Sequence, residues 1–449
     1  MHDPVARDLA VRLREILAAA LDAADPAAST RGALERSLHA DELARHQRLW
    51  IIALGKAAPA MAGAALAFAD ARAWRVAGGI VVTTPDAPTH ASDAGRSPNA
   101  PDARLLLCQG DHPVPGAGSL RAANELADLC EKVGDDDVVL ALISGGTSSL
   151  VGAPVDGVSA DAFAALHALL LGSGLDIGRM NAVRKRFSRW GAGRLAAALA
   201  PAIVHPVLLS DVPGDDPAMI GSGPCSPDRS SAADVEAILR DAGIAGRVPL
   251  AIAAMLGAVV AGALPETPKA HSSVFARVRP AAVTGNGSAL RAAAARATAL
   301  GIERVVRMER PLSGDAAESG RAIARAVLAS ESGTCLIFGG ETTVRLPADH
   351  GSGGRSQQLA LAAADVLRDA GDAPVALLAA GTDGIDGDTG AAGAIVTPRT
   401  WDAMAAAGID PAAALTRCDA NPALDAAGAL VTTGPTGTNV ADIVIALRA

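Results

Sequence analysis

The sequence predicts two α/β domains with mainly parallel sheet, and three observations carry that expectation. Short apolar runs alternate with Ala-rich helical stretches along almost the whole chain. Alternation of this kind reads as crossover units in a parallel sheet. Several runs end in glycine-rich or acidic loops that lead straight into a helix. The chain has 449 residues, half of them apolar, enough for two or three domains with cores of their own.

The elements follow in order. Val5, Leu9, Leu13, Ile16, Leu17 and Leu21 recur at helical spacing, so the first 26 residues predict an amphipathic helix. Asp8, Arg12, Arg14 and Glu15 run through it, which excludes a secretory apolar core. Apolar runs predict strands over 50–54, 79–83, 104–109, 138–143, 204–210, 281–284, 334–338, 375–380 and 429–432. The Pro/Asp/Ser-rich stretch 85–104 predicts a surface loop. The apolar run 248–264 is rich in Ala and Gly. It falls short of the roughly 20 residues of a membrane span and predicts a buried or hinge helix. Composition breaks at 221–231 and 265–269 place a boundary near residue 240, giving domains 1–240 and 241–449.

Composition narrows the functional classes. The net charge of −9 argues against a nucleic-acid binder. The five cysteines are dispersed and never form CxxC, which predicts reduced thiols in a cytoplasmic protein and no zinc site. Neither nucleic acid nor membrane is an expected partner. Only four basic residues are lysines: Lys56, Lys132, Lys185 and Lys269.

Seven loops could carry chemistry. In 53–62, Gly55 and Lys56 lie between a strand and a helix start, where anions are attracted. In 143–150, Ser144, Gly145, Gly146, Thr147, Ser148 and Ser149 offer backbone N–H groups and hydroxyls to a phosphate or carboxylate. In 180–196, Arg184, Lys185, Arg186 and Arg189 form a basic cluster, either an anion site or a solvated helix face. In 208–224, Asp211, Asp215 and Asp216 suit a divalent metal or general-base work, and Gly221, Ser222 and Gly223 form a further anion-capable turn. Glu341 follows the 334–338 strand, and Arg355 opens a helix after two glycines, placed to clamp a phosphate. Asp383, Asp386 and Asp388 crowd a glycine-rich loop and need a cation. Thr436 and Asn439 sit in a polar loop, as substrate ligands or as turn residues. A P-loop, kinase signatures and GxSxG are missing. The GNGSAL stretch at 285–290 only partly matches a dinucleotide loop, with Leu290 where a small residue is required.

Taken together, GKAAPAM, GDHPVP, LISGGTSSL, MNAVRKRFSRWGAGRLA, SDVPGDDPAMIGSGP, GGETTVRL, GGRSQQL, GTDGIDGDTGAAGA and TTGPTGTN resemble the class II glycerate kinase family, with a C-terminal MOFRL-type region over about 331–449. The resemblance implies a Rossmann-like, mainly parallel α/β/α sandwich followed by a second α/β domain, with the active site in the cleft between them. It implies ATP-dependent phosphorylation of D-glycerate at the 2-hydroxyl, with Mg2+, and leaves room for a homodimer. Lys56 and Arg355 match the family's active-site positions, and Asp211 and the Asp383 loop match its acidic ones. Metal roles are inferred for Asp211, Asp383 and Asp386, and a general-base role for Asp211. Arg355 or Lys185 would hold the glycerate carboxylate. Ser144–Ser148, Gly221, Ser222, Glu341, Thr436 and Asn439 would line the substrate or phosphate site. Ser356, Gln357 and Gln358 stand where the family has Asn-Gln-Glu. The competing readings are an NAD(P)H-dependent hydroxypyruvate reductase and a non-catalytic binder of sugar acids.

Overall fold

A computed structural model describes residues 4–38, 47–85, 102–212 and 214–449. Two units emerge. One holds Pro26–Ser210 and Asp215–Thr284, the other Met1–Asp25, Asp211–Gly214 and Gly285–Ala449.

The unit built on Pro26–Thr284 carries strands β1 (Leu49–Leu54), β2 (Val76–Thr83), β3 (Leu105–Gln109), β4 (Val138–Ile143), β5 (Ile203–Ser210) and β6 (Ala282–Gly285), in spatial order β3-β2-β1-β4-β5-β6. Each of β1 and β4 is an unbroken apolar run, buried at every position. Unbroken rather than alternating apolarity means that both faces are covered, as a parallel sheet requires. Pairing is parallel across β3-β2-β1-β4-β5. This is the doubly wound order, and its switch point lies between β1 and β4; sheets of this kind bind ligands beyond the strands' carboxyl ends at that point.

The other unit carries β7 (Arg304–Arg307), β8 (Thr334–Gly340), β9 (Val375–Gly381), β10 (Gly393–Val396), β11 (Leu430–Val431) and β12 (Asp442–Arg448), ordered β11-β10-β9-β12-β8-β7. Only β7 and β8 pair in parallel; the other pairs are antiparallel. The expectation of mainly parallel sheet therefore fails here. Two strands account for it: β12 enters between β8 and β9 and runs against both, and β10 runs against both β9 and β11. Asn286 fixes the entry of β12, donating from Nδ2 to Val440 O at 2.7 Å and Asp442 O at 3.2 Å. Gly339 makes room for this, since a Cβ there would sit 1.9 Å from Asn286 Oδ1.

All nine expected strands are found among the described residues, shifted by a residue or a few at their ends; β7, β10 and β12 are additional. The N-terminal helix spans Pro4–Ala24, with Leu9, Leu13, Ile16 and Leu17 buried, and packs on the helix Asn286–Ala299. It thus belongs with the later unit. The boundary expected near residue 240 falls at the end of a helix, Ala232–Asp241, whose Val235 and Leu239 share one core with Phe163, Phe187 and Ile252. Gly, Pro and Ser at 221–231 mark a tight turn inside that unit instead. The apolar run 248–264 forms the helix Leu250–Val260, but it is not buried. Only Ile252 and Leu256 are covered, and Leu250 is 89% exposed. It packs on one side only. The loop expected at 85–104 lies largely outside the described residues. The five cysteines are free, and no helix among the described residues is long and apolar enough to cross a membrane.

Candidate active site

At the β1/β4 switch point, two loops are stitched to each other. Gly55 has φ +122°, and a Cβ there would sit 2.2 Å from Ser144 Oγ, so only glycine fits. Lys56 N donates to Gly145 O at 2.9 Å, and Ala57 N donates to Ser144 Oγ at 3.1 Å. The Thr147 hydroxyl lies 2.9 Å from Leu54 O and 2.8 Å from Ser144 O. Ser149 Oγ donates to Gly146 O. Most of the hydroxyls expected to face a ligand therefore hold the loop's shape. Ser148 is the exception in direction. Its Oγ lies 2.7 Å from that of buried Ser222, tying in the turn at Gly221, where a Cβ would meet Thr147 Cβ at 3.0 Å.

Lys56 itself is exposed, at the start of the helix Ala58–Asp70. Gly146 sits under two side chains. A Cβ on it would lie 3.2 Å from Lys56 Cγ and 3.4 Å from His112 Cδ2. Partial burial, and then the Lys56 charge, push the His112 imidazole below its ordinary pKa, so it is neutral at pH 7. His112 is a site residue that the loop patterns do not single out, although GDHPVP contains it; a histidine two residues past a strand-end glycine is the signal that the sequence offers. Asp211 follows directly on β5 and is half-buried. Asp216 spends its carboxylate on Ala218 N and Arg229.

In the other unit, Arg355 opens the helix Arg355–Leu367 and lines a cavity of about 410 Å³ with Asp383, Asp386 and Asp442. Its Nε and Nη2 donate to Asp442 Oδ2 and Oδ1 at 2.6 and 3.1 Å, and Nη2 also to Glu341 Oε1 at 2.9 Å. Nη1 has no acceptor among the described residues. Burial works to lower the Arg355 pKa, but Asp442 and Glu341 outweigh it and raise it. Burial raises Asp442, which Arg355 opposes, and Asp386 and Glu341 add to the rise. Asp442, on a strand not expected from sequence, is thus a further site residue that only the fold brings to Arg355.

Several assignments change. Asp386 accepts from Ser356 N at 3.0 Å and Gln357 N at 2.7 Å, closing the start of the helix. Each oxygen thus takes one backbone N–H of the helix start and keeps further lone pairs, so the carboxylate closes the helix and still lines the cavity. Asp383 uses only Oδ1, toward Ile385 N. Thr436 Oγ1 donates to Thr382 O, and Asn439 Oδ1 accepts from Ala441 N, so both serve as turn residues. Lys185 is buried and paired with Asp228 at 2.8 Å, so its charge is not offered to a substrate. Lys269, without supporting groups in the sequence, joins the same network, donating to Ser230 O and Thr267 Oγ1 and lying 3.4 Å from Glu266.

Glu266 in that network gives a pH prediction. Partial burial works to raise it, but Ala232 N–H, the Arg186 guanidinium and Lys269 outweigh that and hold it at about 2, against an ordinary 4.5. A depressed carboxylate contributes stability that is complete above its unfolded value and lost as pH falls through its folded one. Acidification from pH 4.5 toward about 2 should therefore lower Tm, and Glu266→Gln should flatten that dependence. Thermal melts across this window check it; parallel curves for the two proteins would refute it.

Comparison with known proteins adds the following. Residues 12–257 match the family described as Domain of unknown function (DUF4147), and residues 334–442 match the MOFRL family. A D-glycerate 2-kinase from Thermotoga maritima is 36% identical, over 89% of this chain and 90% of that one. A protein from Agrobacterium vitis called a putative hydroxypyruvate reductase is 39% identical, over 96% of this chain and 94% of that one. The crystal structure of a Thermotoga maritima glycerate kinase superposes with a TM-score of 0.84 at 33% identity, covering 99% of this chain and 100% of that one.

Proposed function

The chain belongs to the glycerate kinase family that joins a DUF4147 region to a MOFRL region, and from that premise we propose that it phosphorylates D-glycerate at the 2-hydroxyl, giving 2-phosphoglycerate, with ATP as donor and Mg2+ as metal. The observation that carries this reading is the Lys56 loop, locked to the Ser144–Ser149 loop at the switch point of the sheet.

Phosphoryl transfer asks a protein mainly for positioning and charge neutralisation. Lys56, exposed beside a helix start, offsets charge on the moving phosphoryl group. His112 and half-buried Asp211 are two groups that can accept a proton from the 2-hydroxyl, and Asp211 is the general base assigned here. With Lys185 consumed by Asp228, Arg355 is the cation left for the glycerate carboxylate, through Nη1.

The cavity around Arg355 sets one guanidinium among Asp383, Asp386, Asp442 and Glu341, an excess of carboxylates that an anionic ligand would meet unfavourably without a cation. Among the described residues no three carboxylates, histidines or cysteines form a metal cage. Mg2+ commonly takes one or two carboxylates together with phosphates and waters. Asp383 fits the role with its unused oxygen, and Asp211 is the second candidate. Bound there, the ion would neutralise phosphate charge.

A coupled assay of ADP formation with D-glycerate, L-glycerate and hydroxypyruvate side by side tests the reading. D-glycerate should give ADP and 2-phosphoglycerate. NADH oxidation with hydroxypyruvate, and no ADP, would instead favour the reductase. Leu290, where a dinucleotide loop needs a small residue for close helix packing, speaks against the reductase.

A further inference from the structure

The helix Leu250–Val260 leaves most of its apolar surface uncovered, and its inner edge faces a cluster of arginines across a cavity of about 360 Å³. One wall is Met255, Leu256, Val259 and Leu264; the other is Arg186, Arg189 and Arg194. Exposed Asp156 also lines it. The guanidiniums are unequally compensated. Arg186, 4% exposed, pairs with Glu266 at 2.7 Å and Asp228 at 3.9 Å, yet its buried Nε has no acceptor. Arg194 donates to Lys185 O, Ser188 O and Arg186 O, closing the helix Ile177–Phe187. Burial lowers its pKa to about 10, assisted by the Arg186 charge. Arg189 donates to Asn124 Oδ1 and stands 5.2 Å over the Trp190 ring. Neither Arg189 nor Arg194 has a carboxylate within ion-pair distance among the described residues. A second hollow of about 330 Å³ touches the same two side chains.

We propose that this cavity binds a small amphipathic anion, with a carboxylate or phosphate head on the arginine wall and a hydrocarbon body against Met255, Val259 and Leu264. The volume suits a body on the order of ten carbons. A desolvated guanidinium gains most from a charge-assisted hydrogen bond, and the facing wall gains from losing water. A sugar acid such as glycerate lacks the apolar half, so this site is separate from the one proposed for phosphoryl transfer.

The test uses the full chain and the fluorescent anion 8-anilinonaphthalene-1-sulfonate. One saturable site per chain is expected, displaced by decanoate but not by decanol. Arg189→Glu and Leu264→Glu should each weaken binding at least tenfold with Tm unchanged, and Arg189→Gln should weaken it less. Both glutamate positions are partly or fully exposed, so the fold tolerates them. Decanoate and decyl phosphate separate the two head groups. Absence of saturable binding, equal competition by decanol, or full binding in both glutamate variants overturns the proposal. So does sedimentation showing that the cavity is covered by a second copy released by Leu264→Glu.

Discussion

Replacing Lys56 by Met is expected to lower turnover about a thousandfold while leaving thermal stability unchanged, since removing one preorganised charge from a transition state typically costs 10²–10³ in rate. The structural part of the loop does not depend on the side chain. Gly55 turns the backbone, Lys56 N–H bonds Gly145 O, and Ala57 N–H bonds Ser144. Its Nζ has no partner among the described residues, so methionine leaves nothing unpaired. Initial rates of ADP formation, set beside a circular-dichroism melt, read both halves of the prediction. A variant within about tenfold of the parent would remove Lys56 from the phosphoryl-transfer role. Arginine at the same position should recover part of the rate, because it restores charge but not the compact ammonium.

The position of Lys56 is legible in the sequence, because a strand end, a glycine and a rare lysine coincide there. The roles of its neighbours are not. Ser144 and Thr147 have hydroxyls like any ligand-binding pair, and only the three-dimensional register shows them spent on Leu54 and Ala57. Lys185 misleads for the same reason. A basic run on a helix does not reveal that Asp228, 43 positions later, comes within 2.8 Å. The apolar run 443–447 of β12 can be read as a strand by the same rule as the others, whereas its antiparallel place between β8 and β9 is set by pairing with strands far back in the chain. Asp442 opens that strand, and its partnership with Arg355 follows from that placement alone.

Removing Asp228 should have the largest effect on stability. Its side chain is fully buried and accepts from Lys185, from Ser230 N and Oγ, and from Thr267 Oγ1. Burial works to raise its pKa, but these partners outweigh that and hold the carboxyl below its ordinary range. Asp228→Ala leaves the ammonium of Lys185, whose side chain is 5% exposed, with no carboxylate at ion-pair distance among the described residues. Breaking a buried pair from one side costs about 3–5 kcal/mol. Urea denaturation measures it, and a loss under about 1 kcal/mol would mean that water reaches Lys185. The double variant Asp228→Leu with Lys185→Met should recover most of the loss, because apolar replacement of both partners is often neutral.

The chain order of the second sheet has a consequence for synthesis. The helix Pro4–Ala24 is made before every strand of either sheet, yet the surface that covers Leu9, Leu13 and Ile16 belongs to a unit whose central strand, β12, comes more than 400 residues later. On the ribosome, Pro26–Thr284 has all its own strands and can close while that helix still waits, its apolar stripe open to water or to chaperones. Aggregation during synthesis is expected in that interval, while the stripe is uncovered.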